Sequence, residues 1–201
     1  MKILVIGANG TIGKAVTKVL EDSGQEVIKV GKRSGDFQVD ITSRESIRAL
    51  YKKVGSFDAL ANASGEIAFA PLEKLGDEQW KHSLGSKLMG QIQLVQEAIP
   101  YIKEKGSFTL VSGILSEEPI LSGVAATVVN RALEGFVVAA STELPKHLRI
   151  NSVSPTVLKE SEEKYGAFFP GFVPVEGWKV GQAYKKAILG VQTGQIFRVM
   201  G

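Results

Sequence analysis

Four short stretches hold the residues best suited to chemistry. Gly7-Ala8-Asn9-Gly10-Thr11-Ile12-Gly13 follows the apolar run MKILVI and leads into KAVTKVLEDSG. A strand, a tight glycine turn and a helix leave backbone N–H groups and a helix N-terminus facing outward, which is how a fold holds a pyrophosphate. The residue that reads the adenosine ribose is expected about 20 residues beyond such a turn. That window holds Gly31-Lys32-Arg33-Ser34, with no carboxylate to bind two ribose hydroxyls. Lys32, Arg33 and Ser34 suit a 2′-phosphate, so NADP (NADPH) is expected as cofactor, with NAD kept as the lesser alternative by nearby Asp36. Asp40 and the segment Asn62-Ala63-Ser64-Gly65 follow two further apolar runs, where ligands bind in open α/β sheets. Each also has a plain structural role open to it: a turn or cap for Asp40, an amide bonded to its own backbone for Asn62.

Other chemistries are excluded or left without support. Cysteine is absent, which rules out disulfides, thiol nucleophiles and thiolate metal sites. His82 and His147 lack metal-ligand spacing, so no metal site is expected.

The elements that must position these residues alternate along the whole chain. Apolar strands are read at Ile3–Ile6, Glu26–Val30, Phe37–Val39, Phe57–Ala61, Ser107–Val111, Arg149–Val153 and Gln195–Val199. Helices are expected over 11–22, 43–54, 77–103, 122–144 and 180–190. This alternation argues for an α/β parallel sheet, and 201 residues suit one domain spanning 1–201. The stretch between Pro155 and Gly177 carries Tyr165, Phe168, Phe169 and Phe172; it reads as a lid over an apolar substrate or as a surface loop packing its own aromatics.

Composition narrows the partners. Hydrophobic residues make up 44% and charged residues 22%, an ordinary globular balance. A net charge of +3 with scattered basic residues does not suggest a nucleic-acid partner, and no apolar run reaches membrane-span length. Only a four-residue apolar run, Ile3–Ile6, follows Lys2, which is no signal-peptide pattern, so a cytoplasmic location is expected.

In order and spacing, the glycine turn, Asp40, Asn62 to Gly65, Leu148-Arg149-Ile150-Asn151-Ser152-Val153-Ser154-Pro155 and Thr193-Gly194-Gln195 resemble the short-chain dehydrogenase/reductase family across essentially the whole chain. The resemblance implies a single Rossmann-type, doubly wound parallel sheet of about seven strands flanked by helices. It also implies an NAD(P)-dependent oxidoreductase and a homodimer or homotetramer built through the two long helices. It places Asp40 and Ile41 at the adenine, Asn62, Ala63, Ser64 and Gly65 along the ribose and central sheet, and Pro155, Thr156 and Val157 at the nicotinamide carboxamide. Thr11 stands where the family usually has its middle glycine, and Thr156 where it commonly has glycine.

The larger departure is in the proton relay. The family supplies a proton from a tyrosine, with a lysine four residues later; the matching slots here hold Ala126 and Asn130. No tyrosine lies between Tyr101 and Tyr165, and no lysine between Lys105 and Lys146. Alanine donates nothing, and asparagine does not exchange a proton near neutral pH. By the same resemblance Lys87 takes the place of an asparagine that lines the family's site. It is therefore the candidate proton donor or oxyanion partner, with Asn130 in the exchanged lysine slot; the family's serine slot falls at Gly113 or its neighbour Ser112, and Ser112 is the candidate to orient the substrate. Ser116 and Tyr165 are secondary candidates. The expected function is an NADPH-preferring oxidoreductase acting on a small carbonyl or alcohol. The alternative is a catalytically impaired NADP(H)-binding regulator.

Overall fold

All seven strand segments join one parallel sheet in the computed structural model, which describes residues Met1–Gly201. The strands are β1 (Lys2–Ile6), β2 (Glu26–Gly31), β3 (Phe37–Gln38), β4 (Phe57–Asn62), β5 (Ile102–Val111), β6 (Arg149–Pro155) and β7 (Ile196–Val199), in the order β3-β2-β1-β4-β5-β6-β7. The order reverses at β1, which pairs with β2 on one side and β4 on the other. In open α/β sheets, ligands bind in the crevice beyond the carboxyl ends of strands at such a reversal.

Strand composition explains why both sheet faces are covered. Ile3 and Val5 belong to one apolar cluster and Leu4 and Ile6 to the other, so alternate residues of β1 feed opposite layers. One layer holds α1 (Thr11–Asp22) and α7 (Gly177–Leu189). A Cβ on Gly181 would come within 2.7 Å of Val19 Cγ2, so these two helices touch closely because that position has no side chain. The opposite layer takes α2 (Arg44–Val54), α4 (Gly90–Ala98) and α5 (Val124–Ala140). Helix α2 begins where Ser43 Oγ accepts from the Ser46 N–H at 3.2 Å, and it stops at Gly55, φ +70°.

One expectation needs correction. The helix read over 77–103 is three pieces: α3 (Asp77–Ser83), a π-helical turn at Leu84–Met89, and α4, which ends at Ala98. Pro100 cannot continue a helix, and β5 already begins at Ile102, five residues before the expected start. The segment after Pro155, read as a lid or as a loop packing its own aromatics, has Phe169 and Phe172 edge to face. It carries 3₁₀ turns at Lys159–Ser161 and Gly166–Phe168 around α6 (Glu162–Tyr165). Its neck is closed by the Leu158–Val175 bridge and by Glu160, whose carboxylate accepts from the Gly177 N–H at 2.8 Å at the start of α7.

Candidate active site

The turn after β1 folds as a closed cradle because its glycines leave no room for side chains. Gly7 has φ +79° and a virtual Cβ 2.9 Å from the Ala63 carbonyl. A Cβ on Gly13 would lie 2.0 Å from Gly7 O, so the first turn of α1 sits directly on the cradle. Gly10 is the N-cap of α1 and has no side chain to satisfy the helix's first N–H groups, so these remain available to an anion.

Two cavities flank this turn and share Gly65 and Glu66. The first, about 250 Å³, is lined by Ile6, Gly7, Gly31, Lys32, Asp40, Ile41, Ser64 and Gly65, together with Thr42, Glu66, His82 and Ser86, which sequence reasoning missed. Exposed Lys32 reaches this cavity, whereas Arg33 and Ser34 are not among its lining residues. Ser34 Oγ instead accepts from Asn9 Nδ2 at 2.7 Å, tying the loop after β2 to the glycine turn. The Asp36 carboxylate is used by the Lys29 N–H at 2.8 Å and lies outside the cavity. Asp40 accepts from both the N–H and the hydroxyl of Thr42, bonds that hold its carboxyl below the usual carboxylate range.

Asn62 stands apart from the lining of both cavities. It is fully buried, its Nδ2 donates to Ser64 O at 3.0 Å, and its Oδ1 accepts from Ser64 Oγ at 2.6 Å. Its carbonyl also accepts from Tyr184 OH at 2.6 Å. Asn62 shapes the turn, while Ala63, Ser64 and Gly65 face the cavities.

The second cavity, about 540 Å³, brings together residues from distant parts of the chain. Thr11, Ile12, Ala63 and Gly65 form one wall; Pro155, Thr156, Val157 and Leu158 form another. Lys87, Ser112, Ala126 and Asn130 line the same space, with Ile67, Phe69, Tyr165 and Phe169 around them. Ser116, a secondary candidate, is not among the lining residues.

Lys87 sits on the π-helical turn, an irregularity common at functional sites. Its side chain is buried and packs over Gly65, where a Cβ would come within 2.7 Å of Lys87 Cδ. Burial lowers its pKa to about 8, with no charged partner contributing. The turn is fixed by Gln91, another residue that sequence reasoning missed. Its Nε2 donates to Lys87 O and to Val111 O, and its Oε1 accepts from Val111 N–H, at 2.8–3.0 Å. One buried amide thus connects the lysine turn to the end of β5, one residue before Ser112.

The remaining polar groups differ in how they are engaged. Ser112 Oγ donates to Glu134 Oε1 at 2.8 Å and accepts from Ser152 Oγ at 3.2 Å. Asn130 Nδ2 reaches Gly113 O at 3.4 Å, while Asn130 Oδ1 and Thr156 Oγ1 are buried without a partner. Unpaired buried polar atoms are costly. Both residues line the cavity beside the glycine cradle, so these atoms fit a polar ligand such as a nicotinamide nucleotide.

Known proteins resemble this chain in sequence and fold. The family model described as enoyl-(acyl carrier protein) reductase matches residues 5–173. The chain is 24% identical to an uncharacterized oxidoreductase of Methylorubrum extorquens, over 76% of this chain and 71% of that protein. The protein lin1944 from Listeria innocua is 47% identical, with a TM-score of 0.97 and 99% of each chain covered. A small-chain dehydrogenase in complex with NADPH has the same fold, at TM-score 0.89 and 24% identity, with 100% of this chain and 96% of that one covered.

Proposed function

The chain belongs to the short-chain dehydrogenase/reductase family, and from that premise we propose that it is an NADPH-preferring oxidoreductase acting on a small carbonyl or alcohol. The observation that carries this reading is the meeting of Lys87, Ser112 and Asn130 in one cavity bordered by Thr11 and Ile12 of the nucleotide turn. Gly7, Asn9, Gly10, Thr11, Ile12 and Gly13 would hold the pyrophosphate, and Lys32 a 2′-phosphate with Arg33 and Ser34 beside it. Asp40 and Ile41 would border the adenine. Ala63, Ser64 and Gly65 would follow the ribose; Pro155, Thr156 and Val157 would meet the carboxamide. The nucleotide, when bound, supplies or accepts the hydride.

The chain's own residues handle the proton and the charge. Lys87, with a pKa near 8, is divided between ammonium and amine around neutrality. As ammonium it holds or protonates the oxygen on which negative charge develops; as amine it takes a proton from an alcohol. Apolar Ile67, Phe69, Ile114 and Phe169 exclude water and accommodate an apolar substrate body. Asn130 bonds the ribose side without exchanging a proton. A homodimer or homotetramer would form through α4 and α5. Of the small residues on α5, Ala125 and Ala126 are buried within the chain, leaving Ala139 among those exposed.

Fluorescence titration with NADPH and NADH tests the cofactor half. Steady-state assay of Lys87→Ala tests the chemistry, with at least a 10²-fold loss of turnover expected for a missing proton donor. Unchanged turnover would remove Lys87 from the mechanism. Ala126 in the tyrosine slot favours a second reading, a nucleotide-binding regulator without turnover; activity well above background in a carbonyl and alcohol screen would dismiss it.

A further inference from the structure

Glu134 is a buried carboxylate that the proposed reaction leaves without a role. It lies on α5 behind Ser112 and outside the cavity's lining. Its Oε1 accepts a hydrogen bond from the Ser112 hydroxyl at 2.8 Å, and both residues are buried. Its other oxygen faces Arg131 Nη1 at 3.9 Å, a charge that complements an ionised carboxylate. An ionised carboxylate can only accept hydrogen bonds, and a serine hydroxyl has one proton to give. With that proton directed at Glu134 and one lone pair taken by Ser152 Oγ, what Ser112 has left to offer is a lone pair.

We propose that Glu134 is a positioning residue that turns Ser112 into a hydrogen-bond acceptor toward the cavity, so that the site prefers a ligand carrying O–H or N–H at the reacting centre over the matching carbonyl. A carbonyl oxygen facing Ser112 meets lone pair against lone pair, and desolvating either without a partner weakens binding. An alcohol of the same shape donates into that lone pair. This inference rests on the oxidoreductase reading, because it takes the Ser112 side of the cavity as the substrate side.

The test uses a matched pair of probes in complexes that cannot turn over: cyclohexanol with the NADPH-loaded protein and cyclohexanone with the NADP⁺-loaded protein. Calorimetry gives the ratio of the cyclohexanone to the cyclohexanol dissociation constant. In Glu134→Gln, Arg131 draws the amide oxygen, the amide NH₂ faces Ser112, and the serine proton is released toward the cavity. The ratio is expected to fall about tenfold or more, the size of one misplaced hydrogen bond. Ser112→Ala should lower the ratio as well, and adding Glu134→Gln to it should change nothing further. A merely structural role for Glu134 would move both constants together and leave the ratio alone. Nucleotide binding with an unmoved ratio, or with no cyclohexanol bound by the wild type, overturns this inference alone. Absence of nucleotide binding in the same titrations overturns the oxidoreductase reading and this inference with it.

Discussion

The chemistry of the site turns on single side chains whose settings oppose their usual behaviour. Lysine is rarely buried without a partner, yet Lys87 is buried and receives no charged neighbour. Burial penalises its charged form, so the native state releases the proton near pH 8, while an unfolded lysine keeps it to about 10.5. Between those values the unfolded chain binds more protons, and stability rises with pH across that window. Lys87→Met should flatten that rise. It should also stabilise the protein at neutral pH by about 3 kcal/mol, the cost of holding the ammonium in the cavity. Denaturant melts at pH 7 and pH 10 would check both effects, and a variant no more stable than the wild type at pH 7 would contradict the assignment. A gain in stability with a loss of turnover is what a strained functional residue should give. Position 87 as a candidate was legible only through family resemblance, since its spacing alone reads as a solvated helix turn. Glu134 was not legible at all: a glutamate inside an amphipathic helix carries no mark that it will point at a serine on a neighbouring strand.

At the scale of elements, the site depends on how the π-helical turn is joined to β5. Gln91 makes that joint with three buried hydrogen bonds. Gln91→Leu keeps the volume and apolar fit but leaves Val111 N–H, Val111 O and Lys87 O without this partner. Each buried group left unpaired costs about 1–3 kcal/mol, so a loss of at least 2 kcal/mol is expected. Turnover should fall while NADPH affinity stays close to wild type, because the glycine cradle lies on other elements. Equal losses in affinity and turnover would mean that Gln91 supports the whole sheet and not the lysine turn. Regular elements were well legible. The strands of the sheet, α1 and α2 follow from the alternation of apolar strands with helical periods. The irregular ones were not. A π-turn preserves apolar spacing almost as a helix does, so 77–103 read as one helix, and no local signal announced that β5 would start at Ile102.

For the whole molecule, the sheet order was beyond the reach of periodicity, which marks strands but not their neighbours. The resemblance supplied a Rossmann-type arrangement, and the observed reversal at β1 sets the crevice beside the glycine turn. What joins the two cavities is tertiary: Gly65 and Glu66 border both, and His82, 3.5 Å from Glu66, closes the first from a segment whose sequence carries no nucleotide signal. A crevice organised in this way links nucleotide binding to global stability, because a ligand held only by the native fold adds RT ln(1 + [L]/Kd), about 2.7 kcal/mol at a hundredfold excess over Kd. For a chain of 201 residues, that corresponds to a rise in Tm of roughly 5–10 °C. NADPH should produce such a rise, and NADH at the same concentration a smaller one. Lys32 is the cation that lines the first cavity, so Lys32→Ala should reduce the NADPH rise toward the NADH value while leaving the NADH rise unchanged. Because Lys32 is exposed, the gap between the two nucleotides should narrow in about 1 M salt, where charges are screened within about 3 Å. Equal shifts for both nucleotides in the wild type would remove the 2′-phosphate from recognition and return Lys32 to an ordinary solvated turn.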